Sequence, residues 1–255
     1  MFDNGLPYSR PYECAARERA GRGLSSRAIP VSPLCQNQYQ YNIPKLLYQS
    51  VCKALGKEEE EEGCSLVWAE RAVDLGCGAG LSGVQFRQCV RHLTGVDLNP
   101  EMAKEARDRG CYDRIVVGDA ECIFHKDNED DNNVGVWEYD FVFACDLFAY
   151  IGDLRPMFNT VRKSLSGRGG TFAFSAEIMN ESRGEDDDDA GFVMQSCARF
   201  AHKRSYIKSL VEEFGFETLL STESSVLRQH DGKDVLGALI VLSLPSSQEG
   251  NSQAV

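Results

Sequence analysis

The 255-residue sequence predicts an α/β protein in which helices cover both faces of a doubly wound, mostly parallel seven-stranded sheet. Two observations predict this fold class. Short apolar runs alternate with helical stretches through most of the chain, which is typical of successive strand–helix–strand units. A glycine-rich turn, Gly76–Gly80, joins the first apolar run to a helical stretch, as in sheets that bind nucleotides.

The elements follow in order from local patterns. An amphipathic helix is predicted over Tyr41–Leu55, with Pro44 in its first turn. The later helices are predicted over Leu81–Arg91, Pro100–Arg109, Leu154–Leu165 and Arg204–Phe214. Five apolar runs predict the parallel strands: Arg71–Leu75, Leu93–Asp97, Arg114–Val117, Tyr139–Cys145 and Gly170–Ser175.

The chain is expected to end in an antiparallel hairpin. The runs Glu217–Ser221 and Leu236–Leu244 read as strands, and Asp231–Gly232 offers a turn between them. These two strands bring the predicted sheet to seven.

Composition divides the chain into a segment 1–40, one domain over 41–245, and a tail 246–255. The first segment is rich in Pro, Gly, Ser and Arg without an apolar period, so we expect it to be poorly ordered. Its arginines suit an organellar transit peptide, but Asp3, Glu13 and Glu18 do not. A cytoplasmic location is therefore predicted, with organellar targeting as the alternative, and the tail is expected to be disordered.

The net charge of −12 comes from three acidic runs, at residues 58–62, 127–131 and 185–189. The remainder of the chain is close to neutral, so the runs read as solvated loops. A protein without clustered Lys and Arg is a poor binder of phosphate backbones, which argues against nucleic acid. The longest uncharged apolar run, Val235–Pro245, is far shorter than the roughly 20 residues of a membrane helix, and no membrane partner is expected. The ten cysteines include no CxxC pair, so no metal site is predicted and the thiols are expected to be reduced.

The segment Val73–Gly80 carries the strongest chemical signal. Its glycines allow positive φ and a close approach of the backbone to a ligand at the end of the first strand. Asp74 would repel a pyrophosphate but can bind an ammonium group, directly or through water. Leu81 stands where a dinucleotide motif has its third glycine. A nicotinamide-dependent oxidoreductase is therefore a disfavoured alternative.

This segment resembles motif I of the class I S-adenosylmethionine-dependent methyltransferases, which have a Rossmann-like fold, and the following strand ends match that family in order. The resemblance implies that Asp97 accepts from both ribose hydroxyls, that Asp119 accepts from the adenine amino group, and that Asp146 lies beside the methionine moiety. The implied cofactor is S-adenosyl-L-methionine. The positions implied to bind it are Asp74, Gly76, Cys77, Gly78, Gly80, Asp97, Leu98, Asp119, Ala120 and Asp146.

Ordinary structural roles remain open for these positions. The glycines could form a tight turn in another α/β protein, Asp97 could be an acid favoured at a helix N-terminus, and Asp119 could be a surface acid. Within the superfamily, Asp146–Leu154, Phe172–Glu177 and Arg199–His202 resemble predicted methyltransferases with type 11 or 12 domains that in some proteins follow tetratricopeptide repeats. This chain has no repeat array and carries acidic insertions.

Methyl transfer is an in-line displacement, so catalysis depends mostly on positioning. Tyr150 and His202 are the catalytic candidates, and Tyr150, Glu177, Arg199 and His202 are the candidates for binding substrate. His202 could instead be a core or helix-start histidine, Arg199 could pair with the nearby acids, and Tyr150 could be half-buried in the core.

The acceptor is expected to be a small or carrier-bound molecule. Strand four ends in Cys145–Phe148, which differs from the Asn/Asp-Pro-Pro-Tyr/Phe sequence of many enzymes that methylate exocyclic or amide nitrogens. A protein acceptor is the second possibility. By family analogy the N-terminal region is expected to fold as a lid. A non-catalytic protein that binds S-adenosylmethionine for regulation or interaction is the alternative to an active transferase.

Overall fold

The computed structural model describes residues 42–57, 67–121, 138–165, 168–179, 190–230 and 232–246. The predictions made for segment 1–40 (poor order, lid or transit peptide), the acidic runs, the tail after residue 246 and the turn residue Asp231 lie outside these ranges.

Within the described ranges, the main sheet has eight strands: β1 (Ala69–Leu75), β2 (Val90–Asp97), β3 (Arg114–Val117), β4 (Phe141–Ala144), β5 (Gly170–Glu177), β8 (Glu217–Ser221), β9 (Ser225–His230) and β10 (Lys233–Leu244). They lie in the order β3-β2-β1-β4-β5-β10-β8, with β9 also paired to β10. A separate antiparallel pair is formed by β6 (Phe192–Met194) and β7 (Phe200–His202). Strands β1 to β5 are parallel, and β10 is antiparallel to its three neighbours. The predicted α/β class, the mostly parallel sheet and the antiparallel end are confirmed.

The described helices are α1 (Ile43–Ala54), α2 (Leu81–Phe86), α3 (Pro100–Arg109), α4 (Arg155–Leu165) and α5 (Arg204–Glu213). The side chain of Asn99 caps α3 by accepting from the N–H groups of Glu101 and Met102. α1 packs on one face of the sheet, where Ile43, Leu47 and Val51 are buried. α4 and α5 pack in a second apolar cluster together with inward residues of β4, β5 and β10. The sheet thus has a core on each face, as a doubly wound fold requires.

Three expectations differ from the structure. The helix predicted over Leu81–Arg91 ends at Phe86, is followed by a 3₁₀ turn over Arg87–Cys89, and gives way to β2 at Val90. Val90 pairs with Ala69 on β1. Residues from Val90 onward therefore join the sheet, although their apolar pattern also suits a helix.

The strand predicted over Tyr139–Cys145 is shorter because the Asp140 carboxylate accepts the N–H groups of Glu70 and Arg71 at its start. At its other end Asp146 adopts φ 61°. The third difference is β9, an additional strand that pairs with the first half of β10 and raises the sheet from seven strands to eight. None of the helices in the described part of the chain is long and apolar enough to cross a membrane.

Candidate functional site

The glycine turn lies at the carboxyl end of β1, next to the point where the sheet order reverses between β1 and β4. Gly76, Gly78 and Gly80 all have positive φ, at 71°, 52° and 87°. The N–H groups of Gly76 and Cys77 donate to the carbonyl of Val96, at 2.8 and 2.9 Å, which fixes the turn against β2. A Cβ on Gly78 would meet no atom within 4 Å, so the backbone here borders open space.

Asp97 at the tip of β2 faces this turn. Its Oδ2 accepts the N–H of Gly78 at 2.8 Å, and its Oδ1 accepts the N–H of Asn99 at 2.8 Å. Each carboxylate oxygen has a further lone pair, so Asp97 can still accept two hydrogen bonds. Its side chain is half-buried, and burial raises its pKa while the two backbone hydrogen bonds act in the opposite direction.

Asp74 lies beneath the turn and is completely buried. Its Oδ2 accepts the hydroxyls of Ser82 and Tyr112, the latter at 2.7 Å. Its Oδ1 has no hydrogen-bond partner within the described ranges. Burial raises the pKa of Asp74 to about 7, although the two hydroxyls lower it.

The remaining predicted positions extend the same edge of the sheet. Asp119 follows β3 and is half-buried, with Oδ1 accepting the N–H of Glu121 at 2.9 Å. Ala120 beside it is buried. Leu98 exposes 44% of its surface directly after Asp97, while Cys77 is buried and its thiol pKa is raised by burial. We use the name glycine site for Asp74, Gly76–Gly80, Asp97 and Asp119.

A second group of side chains lies at the ends of β4 and β5. Asp146 is buried, and its carboxylate is bound by the Arg199 guanidinium through two hydrogen bonds of 3.1 and 3.0 Å. The N–H of Asp146 donates to the hydroxyl of Ser175. Asp146 has φ 61°, and Ala198, directly before Arg199, has φ 59°. Positive φ in residues other than glycine is strained backbone and is concentrated at functional sites. The strain at Asp146 and beside Arg199 therefore points to a functional role for this ion pair.

Glu177 at the end of β5 extends the group. Its Oε1 accepts from Arg199 at 3.2 Å and from Arg228 on β9 at 2.6 Å, and its Oε2 accepts from the Gln195 amide at 2.7 Å. The four charged side chains expose 12% or less of their surfaces. We call Asp146, Glu177, Arg199 and Arg228 the charge cluster. Two acids face two arginines, so the cluster is electrically neutral.

Tyr150 lies beside the charge cluster. Its hydroxyl accepts a hydrogen bond of 2.5 Å from Arg199, whose guanidinium also lies 4.8 Å from the centre of the ring. Burial raises its pKa, so the phenol keeps its proton at neutral pH. The phenol oxygen accepts from Arg199, and its O–H can donate a hydrogen bond to another group.

His202 is fully buried in β7. Its Nε2 is 3.0 Å from the carbonyl oxygens of both Ile151 and Gly152, so Nε2 carries the proton and donates. Nδ1 is buried without a hydrogen-bond partner in the described structure, and burial lowers the pKa of the ring. The histidine is therefore neutral and enclosed. His202 has no exposed atom with which it could carry out the predicted catalytic role.

The structure thus brings three of the four predicted substrate-binding residues together with Asp146, which was predicted to bind the cofactor, and adds others. Asp146, Tyr150, Glu177 and Arg199 meet in one group, while His202 lies in the core next to it. Sequence reasoning missed Tyr112 and Gln195 and gave Arg228 no role. Their partners are distant in sequence, so only the fold identifies them. Among the described residues, no group of three or more His, Cys, Asp and Glu side chains is arranged to hold a metal ion.

Comparison with known proteins agrees with this geometry. Residues 73–172 match the family model described as a methyltransferase domain. The N-methyltransferase NodS from Bradyrhizobium japonicum, solved with S-adenosyl-L-homocysteine, is 13% identical and superposes with a TM-score of 0.55 over 90% of this chain and 98% of its own. An S-adenosylmethionine-dependent methyltransferase from Clostridium acetobutylicum is 18% identical, with a TM-score of 0.54 over 92% and 100%. One from Methanosarcina mazei is 16% identical, with a TM-score of 0.53 over 70% and 93%. No curated protein sequence matches significantly.

The strand order and the glycine site together define a class I methyltransferase fold. The chain therefore has the fold of S-adenosylmethionine-dependent methyltransferases, whose cofactor is S-adenosylmethionine.

Proposed function

We propose that this protein is an active methyltransferase that transfers a methyl group from S-adenosyl-L-methionine to a small or carrier-bound acceptor. The observation that carries the proposal is the hydrogen bond between Gly78 and Asp97 at the edge of the sheet where the strand order reverses. Ligands of doubly wound sheets bind at this point.

The glycine site fits the cofactor. The open space next to Gly78 leaves room for a ligand against the backbone. The two free lone pairs of Asp97 match the two hydroxyls of a ribose, which would both donate. The exposed side chain of Leu98 offers an apolar surface and Asp119 an acceptor, which together suit an adenine ring with its amino group. Asp74 supplies the negative charge that an ammonium group requires nearby.

The bound cofactor supplies an electrophilic methyl group on a positively charged sulfur. The task of the protein is to hold the acceptor atom in line with that bond and to exclude water. The charge cluster lies at the ends of the neighbouring strands, and Asp146 is joined to Arg199 there. We assign the acceptor side to Tyr150, Glu177 and Arg199, with the Tyr150 O–H as the group that orients the acceptor by hydrogen bonding.

No general base is assigned. Asp146 and Glu177 are each engaged by an arginine, Tyr150 is protonated, and His202 is enclosed. An acceptor that presents a lone pair without first losing a proton suits such a site. Neutrality of the charge cluster also removes the positive field that would attract a polyanion. A small molecule is thus preferred to nucleic acid, and a protein acceptor is second.

A non-catalytic role is the second candidate, because both terminal nitrogens of the Arg199 guanidinium already donate to Asp146, Glu177 and Tyr150. Calorimetric titration with S-adenosylhomocysteine and transfer of labelled methyl from S-adenosylmethionine to a panel of small-molecule amines, thiols and hydroxyl compounds test both candidates. Binding with turnover supports the transferase. Binding without turnover on any acceptor favours the regulatory protein, and failure to bind contradicts both.

A further inference from the structure

The segment Arg109–Tyr112, which runs from the last residue of α3 towards β3, contacts the glycine turn and the start of α2. The guanidinium Nε of Arg109 donates to the carbonyl of Ala79 at 2.7 Å. The thiol of Cys111 lies 3.7 Å from the carbonyl of Gly80, and the hydroxyl of Tyr112 accepts the N–H of Gly83 at 3.1 Å.

The ring of Tyr112 fills a space that three glycines create. A Cβ on Gly80 would lie 3.1 Å from Tyr112 Cε2, and one on Gly95 would lie 3.0 Å from Cδ1. A Cβ on Gly83 would collide with the Tyr112 ring. These glycines come from the start of α2 and from β2. The tyrosine therefore explains why small residues occur at positions outside the turn itself.

The Tyr112 hydroxyl also contacts the carboxylate of Asp74. It donates to Asp74 Oδ2 at 2.7 Å while accepting from Gly83, so it fixes the carboxylate and the first turn of α2 relative to each other. Since Ser82 also donates to Oδ2, both protein donors hold the same oxygen. The other oxygen, Oδ1, is buried without a partner in the described part of the chain. No donor in the described part of the protein uses the lone pairs of that oxygen.

We propose that Tyr112 is a positioning residue for the cofactor, whose hydroxyl holds the Asp74 carboxylate and the start of α2 in the arrangement that receives the ammonium group. This inference rests on the proposed function. Asp74 attracts an ammonium group only while it is ionised, and the hydroxyl of Tyr112 stabilises that form. Without the hydroxyl, the buried carboxyl retains only the Ser82 donor and becomes protonated at a higher pH.

The surroundings of Asp74 make this hydroxyl important. Burial raises the pKa of Asp74 to about 7, and Asp97 raises it further. The hydrogen bonds from Ser82 and Tyr112 lower it. The other titratable groups facing Asp74 are the thiols of Cys77, Cys111 and Cys145, whose own pKa values are raised by burial and which therefore stay neutral.

The variant Tyr112→Phe tests the proposal, because it keeps the ring against the three glycines and removes only the hydroxyl. Tyr48→Phe on α1 is the matched control, since its half-buried hydroxyl lies near Cys89. In the unliganded proteins the carboxyl carbon of Asp74 is titrated by ¹³C NMR, with Asp74→Asn providing the assignment. Affinity for S-adenosylhomocysteine is measured by calorimetry between about pH 6 and 9.

We expect the Asp74 titration midpoint to rise in Tyr112→Phe and to stay unchanged in Tyr48→Phe. Loss of one hydrogen bond to a charged group should weaken S-adenosylhomocysteine binding about tenfold near pH 7.5 and less at pH 9. In an Asp74→Asn background, Tyr112→Phe should cause little further loss, because the charge that it supports is gone.

Three different results would overturn the inference. Wild-type binding with unchanged midpoint and affinity in Tyr112→Phe overturns the role of Tyr112 alone. Absence of binding by the wild type at every pH overturns the proposed function and this inference with it. An equal loss at all pH values, with no shift of the Asp74 midpoint, would mean that the hydroxyl serves packing only, which also contradicts the proposal.

Discussion

The glycine site and the charge cluster lie on the same edge of the sheet but are built by different means. The glycine site is made mainly of backbone, held by hydrogen bonds to neighbouring strands, and contains the buried carboxyl of Asp74, whose Oδ1 has no hydrogen-bond partner among the described residues. The charge cluster is made of side chains that neutralise one another. Substitutions should therefore reduce cofactor binding most in the first region and folding stability most in the second.

The largest effect on stability is expected from Arg199→Ala. The change leaves Asp146 and Glu177 buried, with Asp146 deprived of its bidentate partner, and breaking a buried pair in this way costs about 3–5 kcal/mol. Urea denaturation followed by circular dichroism measures the loss. Arg155→Ala is the control, because its ion pair with Glu213 is about half exposed and should contribute at most about 1 kcal/mol. Equal losses in the two variants would contradict the contrast between the regions.

A pH-dependent effect is expected at Asp74. Its pKa of about 7 in the folded protein lies above the value of about 3.9 in an unfolded chain. Between these values the folded state binds more protons than the unfolded state. The free energy of unfolding should therefore fall as the pH rises from about 4 to 7, by up to about 1.4 kcal/mol per pH unit from this group. Above about pH 7 the contribution is constant.

The variant Asp74→Asn isolates this contribution. Asparagine does not titrate, so the difference in unfolding free energy between variant and wild type should change over that pH range and level off above it. Buried His202 has a lowered pKa and gives an opposite slope, but it is present in both proteins and cancels. Parallel stability curves from pH 4 to 8 would show that Asp74 is ionised throughout.

A smaller effect on stability is expected from Gly78→Ala. Its φ of 52° disfavours alanine by about 1–2 kcal/mol, while the added methyl meets no protein atom. The methyl occupies the space left for the cofactor, so S-adenosylhomocysteine binding should fall at least tenfold. Gly215→Ala has the same type of backbone, with φ 70° and open space, but lies after α5. If both variants bound equally well, Gly78 would not border the cofactor.

The same contrast explains what the sequence could predict. The succession of strands and helices along the chain and the glycine turn depend on local patterns, since a turn with positive φ at Gly76, Gly78 and Gly80 needs glycine at a fixed spacing. The charge cluster depends on distance in space. Arg228 and Gln195 reach Glu177 from 51 and 18 residues away, and no periodicity identifies such partners.

The errors in the elements have a related cause. Residues after Phe86 carry an apolar pattern that suits a helix or a strand, and pairing of Val90 with Ala69 on a neighbouring strand decided between them. Strand β9 was missed because Val226 and Leu227 are its only two apolar residues, a run too short to indicate a strand, and its partner β10 lies across a hairpin. Tyr112 has no local signal, since its role comes from glycines on other elements.

The central claim, that the glycine site binds the methyltransferase cofactor through Asp97, is tested most directly by titrating the protein with S-adenosylhomocysteine in a calorimeter. The wild type, Asp97→Ala and the control Asp108→Ala, an exposed acid on α3, are compared under the same conditions. We predict binding by the wild type and by Asp108→Ala, with heat of binding lost in Asp97→Ala. Absence of wild-type binding, or undiminished binding by Asp97→Ala, would contradict the claim.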